Sequence, residues 1–229
     1  MHVPDGFIDA TTSLATGAVA VAGVTLALRG ARRELDDRTA PMAGLVATFV
    51  FAGQMMNFPV GAGTSGHLLG GALAAVLAGP WTAVLAITVV LLVQALLMAD
   101  GGITALGTNV TLMALVAVVV GWLVFRGMRA VLPRRTTSVA PAAAIGAFVS
   151  VPAAALAFTG IYAVGGTAPV PLDTVLTAML SWHLVIGLGE AAITGLVVAS
   201  VVAVRPDLVH GARGALSAQQ LEIRQRATA

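Results

Sequence analysis

Residues 81–99 read Trp-Thr-Ala-Val-Leu-Ala-Ile-Thr-Val-Val-Leu-Leu-Val-Gln-Ala-Leu-Leu-Met-Ala, without a single charge. A helix crosses the hydrocarbon core of a bilayer with about 20 such residues, and Gly79-Pro80 punctuates the start of the run. Similar runs lie on both sides of it. Spans are expected over 9–28, 40–57, 65–79, 81–99, 103–125, 139–164 and 173–204, followed by a polar tail at 205–229. The predicted fold class is an all-α membrane protein with seven transmembrane helices. Segment 65–79 is short and glycine-rich, and a re-entrant path there changes the count. No internal repeat or second domain is evident.

Composition supports the membrane reading. Hydrophobic residues make up 58% of the chain and charged residues 10%, with a mean hydropathy of +0.96. A soluble domain carries about 25% charged residues. The absence of cysteine removes disulfides, thiolate metal ligands, iron–sulfur clusters and a cysteine nucleophile. All 12 basic residues are arginine, so a Walker A lysine and Schiff-base chemistry are excluded. Any ATP-driven work by this chain requires another subunit to hydrolyse the ATP. The net charge is only +2, and nucleic-acid binding is not implied.

The arginines orient the spans. Arg29, Arg32, Arg33 and Arg38 lie between the first two, Arg126, Arg129, Arg134 and Arg135 between the fifth and sixth, and Arg205, Arg213, Arg224 and Arg226 after the last. Seven spans put all of them on one side, whereas six spans without 65–79 divide them. Positive charge marks the cytoplasmic side, so the N-terminus is expected outside and the C-terminus in the cytoplasm. Residues 1–9 hold two acids and no arginine, which is the wrong charge order for a cleavable secretory signal.

Polar residues inside such a bundle are functional candidates by default. They are His2, Gln54, Asn57, Ser65, His67, Gln94, Asp100, Asn109, His183 and Glu190, and the expected topology gathers nearly all of them in the outer half. A free Met1 amine, the His2 amide nitrogen and the His2 imidazole can close two fused chelate rings on one metal. One more imidazole completes a square of four nitrogens, which suits Ni(II) or Cu(II). Alternatively His2 is a loose chain end. His67 is either a ligand or a polar residue hydrogen-bonded at a helix start. His183 and Glu190, seven residues apart, share a helical face and either brace helix packing or orient a site. Met55-Met56 and the other methionines read as packing.

The chain resembles the nickel/cobalt-specific substrate-binding membrane subunits (S components, CbiM/NikM type) of energy-coupling factor transporters. The resemblance rests on Met1-His-Val-Pro-Asp-Gly-Phe7, Phe51-Ala-Gly-Gln-Met-Met-Asn-Phe-Pro59, Gly63-Thr-Ser-Gly-His-Leu-Leu-Gly-Gly71, Asp100-Gly-Gly-Ile-Thr-Ala-Leu-Gly107 and Ser181-Trp-His-Leu-Val-Ile-Gly-Leu-Gly-Glu-Ala-Ala-Ile-Thr194. It covers nearly the whole chain to about residue 204, in order.

That resemblance implies a single substrate-binding domain over 1–204, with an extra N-terminal helix 9–28 added to a six-helix core 40–204. The extra helix plugs the chain terminus into the pocket. The metal ligands it implies are the Met1 amine, the His2 amide and imidazole nitrogens, and the His67 imidazole. The Gly-Thr-Ser-Gly-His form around His67 is closer to nickel members than to cobalt members. Gln54, Asn57, Ser65, Gln94, Asn109, His183 and Glu190 are implied as residues that orient the ligands. Ala43 and Ala47 match the small-residue surface that meets the transmembrane coupling subunit, with Ala18 and Ala22 as a second candidate. Implied partners are a coupling subunit of the EcfT type, ATPases of the EcfA type, membrane lipid and a small accessory membrane subunit. The implied location is a prokaryotic cell membrane. Ni(II) or Co(II) is the transported substrate, and no enzyme cofactor is implied.

Two other readings use the same residues. Gly63-Thr-Ser-Gly66 fits the surroundings of a rhomboid-type serine nucleophile, with Ser65 attacking and His183 as base. A secondary transporter would use Glu190 and His183 as a proton relay. No His-Glu-x-x-His motif supports a metalloprotease.

Overall fold

In the computed structural model the described residues are 1–37, 39–61 and 64–218; Arg38, Gly63, Arg224 and Arg226 lie outside them. The described helices are α1 (Ala10–Ala31), α2 (Ala40–Gln54), α3 (Gly71–Ala78), α4 (Pro80–Leu97), α5 (Leu106–Val131), α6 (Val139–Gly165) and α7 (Leu172–Val204). Five of them, α1, α4, α5, α6 and α7, are long and apolar enough to cross a membrane, and α2 is a shorter apolar helix.

The main departure from the sequence reading is at 65–79. Residues Phe58–Gly61 and Thr64–Gly66 form a two-stranded antiparallel hairpin, β1 and β2, with Phe58 opposite Gly66 and Pro59 opposite Ser65. The chain then runs irregularly to Gly70, whose φ of 76° is left-handed backbone that favours glycine. Only α3 follows. At 1.5 Å per residue it is about 12 Å long, far less than a hydrocarbon core of about 30 Å. All of its residues are buried, and it packs against α2, α4, α5, α6 and α7. An apolar run is required equally by a lipid-facing span and by a helix enclosed in the middle of a bundle, so composition did not separate the two.

Two buried carboxylates flank α3. Glu34, in the α1–α2 connection, accepts from the Trp81 amide at 3.2 Å, the Thr82 amide at 2.7 Å and the Thr82 hydroxyl at 2.9 Å. It thereby satisfies orphan donors at the start of α4. Glu190 of α7 accepts from the Leu69 and Gly70 amides at 2.7 and 2.9 Å, just ahead of α3.

The other helices follow local chemistry. Asp9 caps α1 by accepting the Thr12 amide at 2.7 Å. Pro41 sits in the first turn of α2, where a missing N–H costs nothing. α5 opens into a π-helical stretch over Val110–Val116, directly after Asn109. Pro152 lies inside α6, which continues through it.

The helices alternate in direction between two ends of the bundle. Met1, the Asp100–Thr104 loop and Thr167 meet at one end. At the other end one cavity is lined by Arg33, Asp207 and Arg213, and a second by Arg126, Arg129, Arg134 and Arg213. These arginines therefore share the end opposite the chain terminus.

Candidate functional site

The first nine residues do not hang free. Asp9 donates its amide to Gly165 O at 2.7 Å, Thr167 donates its amide to Phe7 O at 3.1 Å, and Ile8 bridges Gly166 in antiparallel fashion. Phe7 packs on Phe158 and Tyr162, with ring centroids 6.0 and 5.3 Å away. Asp5 accepts the amide and hydroxyl of Thr104. Val3 is clamped by Asn109, which accepts the Val3 amide at 2.8 Å and donates to its carbonyl at 3.1 Å, and Gly102 donates to the same carbonyl at 2.8 Å. These contacts turn the chain end inward, leaving Met1 1% and His2 6% exposed. The loose-end reading of His2 does not hold.

His2 meets His67 inside. Their ring centroids are 4.5 Å apart with an interplanar angle of 31°. His2 Nε2 donates to Gln94 Oε1 at 3.2 Å, and Gln94 Nε2 in turn points at Met55 Sδ, 3.9 Å away. That fixes the tautomer and leaves His2 Nδ1 with a lone pair, buried and without a hydrogen bond. Asp100 Oδ1 lies 3.2 Å from this nitrogen. At that distance a proton or a cation joins the imidazole nitrogen to the carboxylate. Asn57 holds the carboxylate by donating to Oδ2 at 3.0 Å.

His67 shows the same polarity. Its Nδ1 donates to Leu68 O at 2.7 Å, and its Nε2 is buried without a partner. His183 repeats the pattern within α7: Nδ1 donates to Met179 O at 2.7 Å, and Nε2 is buried and unpartnered. Three imidazoles thus present aromatic nitrogens with free lone pairs in the interior.

Burial sets the protonation of the terminal groups. It pushes the Met1 amine well below its ordinary value of 8.0, against the opposing pull of Asp100. It pushes His2 down to about 3, helped by the neighbouring amine. Asp100 is raised by its partial burial, with the Met1 amine and Asn57 opposing. The neutral forms of the amine and of His2 are therefore favoured, and these are the forms that bind metals.

Among the described residues no three His, Cys, Asp or Glu side chains are placed to share a metal. An ion held here therefore calls on main-chain nitrogen, and the buried amine and the adjoining His2 amide are at hand. The loop that closes over them depends on Gly101. Its φ is +90°, and a Cβ there would lie 3.1 Å from both His2 Cδ2 and Asn109 Nδ2.

The remaining residues singled out in the sequence sort by position. Gln54 donates to Leu69 O at 2.9 Å and Glu190 holds the Leu69 and Gly70 amides, so both grip the backbone that follows His67. Asn109 binds the chain terminus and Asn57 binds Asp100. Ser65 sits on β2, half-buried, with no hydrogen bond to His183 among the described residues, and the nucleophile–base pair of a serine protease is not formed. Ala43 and Ala47 are half-buried on α2, whereas Ala18 and Ala22 on α1 are exposed. The sequence reading missed Glu34 and Thr104, and it named Asp100 as a polar candidate without a partner. Position alone gave no signal for Glu34, which stands among arginines and reads as solvated.

The fold defines a multi-pass membrane protein in which residues 1–9 turn inward to an enclosed cluster of nitrogens. A profile for the cobalt uptake substrate-specific transmembrane region (CbiM) matches residues 2–208. The chain is 38% identical over 221 residues to the fused nickel transport protein NikMN of Rhodobacter capsulatus, covering 91% of this chain and 64% of that protein. It is 36% identical over 217 residues to the cobalt transport protein CbiM of Sorangium cellulosum, covering 91% and 94%. A crystal structure of a truncated transition metal transporter superposes with a TM-score of 0.83 at 34% identity, over 89% of this chain and 99% of that one.

The chain belongs to the CbiM family and is a cobalt/nickel uptake membrane component of a metal transporter.

Proposed function

We propose that this chain captures one Ni(II) or Co(II) ion with the Met1 amine, the His2 amide nitrogen, His2 Nδ1 and His67 Nε2. The observation that carries the reading is the shared burial of His2 Nδ1 and His67 Nε2, which lack hydrogen-bond partners, beside the Met1 amine, whose neutral form burial favours. Amine, amide and imidazole close a five-membered and a six-membered chelate ring, and His67 supplies the fourth corner. Four nitrogens in a plane favour Ni(II) over Co(II), in keeping with the Gly-Thr-Ser-Gly-His form around His67. Gln94, Asn57, Asn109, Gln54 and Glu190 hold the ligands in place, Ser65 lines the approach, and His183 faces the same interior.

The chain then works as the substrate-specific subunit of an energy-coupling factor transporter, with residues 1–204 as its transmembrane domain, 205–229 as a tail, and no hydrolytic activity of its own. In this reading α1–α7 are seven membrane passages, α3 completed by the extended 65–70 segment, with the N-terminus outside and the arginine-rich end in the cytoplasm. A coupling subunit and two ATPases, with or without a small accessory membrane subunit, supply the energy for release. Ala43 and Ala47, or the more exposed Ala18 and Ala22, meet the coupling subunit.

The test is metal analysis of protein with a native N-terminus, together with its absorption spectrum. One nickel per chain with a square-planar spectrum is expected, lost in His2→Ala and His67→Ala. Retention of the metal by folded His67→Ala removes His67 from the ligand set.

A further inference from the structure

The arginine-rich end holds a second site that metal capture does not use. A cavity of about 560 Å³ is lined by Arg126, Arg129, Arg134 and Arg213, by Trp122 and by His210, and among the described residues no carboxylate lines it. Arg129 is fixed in place, donating to Pro133 O at 3.3 Å and Arg135 O at 3.1 Å. Arg126 and Arg134 have neither a hydrogen bond nor an ion pair to any described residue. His210 stacks obliquely on Trp122, with ring centroids 5.5 Å apart, and its Nδ1 is buried without a partner.

Arg213 also lines the neighbouring cavity with Glu34 and Asp207, whereas Arg126, Arg129 and Arg134 have no described carboxylate partner, and guanidinium binds phosphate oxygens in a matched fork. Val119 and Leu123 are 49% and 59% exposed. They precede Arg126 by seven and three residues, so they share its face of α5. An occupant that lies along this face meets hydrocarbon-compatible side chains first and arginines at its end.

We propose that this cavity binds the phosphate headgroup of an anionic glycerophospholipid, with an acyl chain along Val119 and Leu123 and Trp122 at the glycerol level. A free phosphate has no use for the apolar stripe, whereas a phospholipid uses both parts. Basic pockets at the ends of membrane helices take anionic headgroups for this reason.

The test uses the full chain in detergent, mixed with phosphatidylglycerol or phosphatidylcholine of identical acyl chains, and counts retained lipid by native mass spectrometry. Phosphatidylglycerol should be retained about tenfold over phosphatidylcholine. The preference should vanish in Arg126→Gln/Arg134→Gln and fall in Arg213→Gln, while each variant retains the metal content of the parent, which shows that it folds. Equal retention of the two lipids overturns the proposal, as does an unchanged preference in the double variant. Loss of phosphatidylglycerol to excess inorganic phosphate overturns the lipid assignment in favour of a free-anion site.

Discussion

Glu190 accepts the Leu69 amide at 2.7 Å across 121 positions of sequence, and its second oxygen accepts the Gly70 amide at 2.9 Å. One carboxylate of α7 therefore sets the backbone that immediately follows His67. A hydrogen bond to a charged group contributes about 1.5–3 kcal/mol. Glu190→Gln exchanges one charged acceptor for a donor and should lower the melting temperature in detergent. Metal stoichiometry at saturation should stay the same, because Glu190 binds the backbone rather than the ion. Loss of the metal from a folded Glu190→Gln protein would move Glu190 into the ligand set.

Extending the chain by one residue before Met1 removes the amine from its place. Met1 is 1% exposed, so an added residue would have to displace it from its buried place. The extended protein should fold and hold no nickel, as read by metal analysis after gel filtration. Unchanged affinity in that protein would overturn the role of the amine.

The pH dependence follows from the lowered bases. In a free Met-His peptide near neutral pH, binding displaces a proton from the amine and another from the amide. Here burial holds the amine well below 8.0 and His2 at about 3. Near neutral pH the amide proton remains to be displaced, so log K should rise with pH at a slope of about one. A slope near two, measured by nickel titration in several buffers, would show that the amine is protonated. The apoprotein should also be acid-labile. Below the ordinary values of 8.0 and 6.5 the unfolded chain takes up protons that the folded amine and the His2 imidazole refuse, so stability falls as pH drops.

Asp100 stands 3.2 Å from His2 Nδ1 and is held by Asn57. Asp100→Asn removes a charge next to the bound cation and leaves the shape intact. Removing such a supporting group typically costs about 10- to 100-fold in metal affinity, to be read by competition against a chelator. An unchanged affinity would reduce Asp100 to a loop contact.

Gly101→Ala tests the closing loop without touching a ligand. A left-handed backbone costs a non-glycine residue about 1–2 kcal/mol, and the added methyl would press on His2 and Asn109. Faster loss of bound metal on dilution is expected, and an unchanged off-rate would show that the loop does not seal the site.

The long helices were legible because uninterrupted apolar runs have few other uses. α6 at Val139–Gly165 and α7 at Leu172–Val204 fall within one residue of the expected 139–164 and 173–204. α5 starts three residues later than expected and ends six residues later, because Arg126 and Arg129 continue a helix whose apolar core has already ended. The 65–79 segment, expected as one helix, holds the strand β2 and the eight-residue α3, a difference hidden because burial by protein and burial by lipid select the same side chains. His2, His67, Gln94 and Asn109 were visible as polar residues where polarity is costly. Their partners were not visible, since the bonds of Asn109 to Val3 and of His2 to Gln94 join positions 106 and 92 apart. The lining-up of unpaired nitrogens is a property of tautomers, which a sequence does not carry.

Glu190 and Glu34 sit at opposite ends of the eight-residue α3, one gripping the amides before it and the other the first amides of α4 just after it. The segment that presents His67 is in effect a short strut bolted to α7 at the top and to the α1–α2 connection at the foot. Its middle, packed on every side, has no slack in which to absorb a displacement. A push on the arginine-rich end therefore has about 12 Å of stiff helix to travel before it reaches the imidazole, and loosening either bolt should uncouple the two ends.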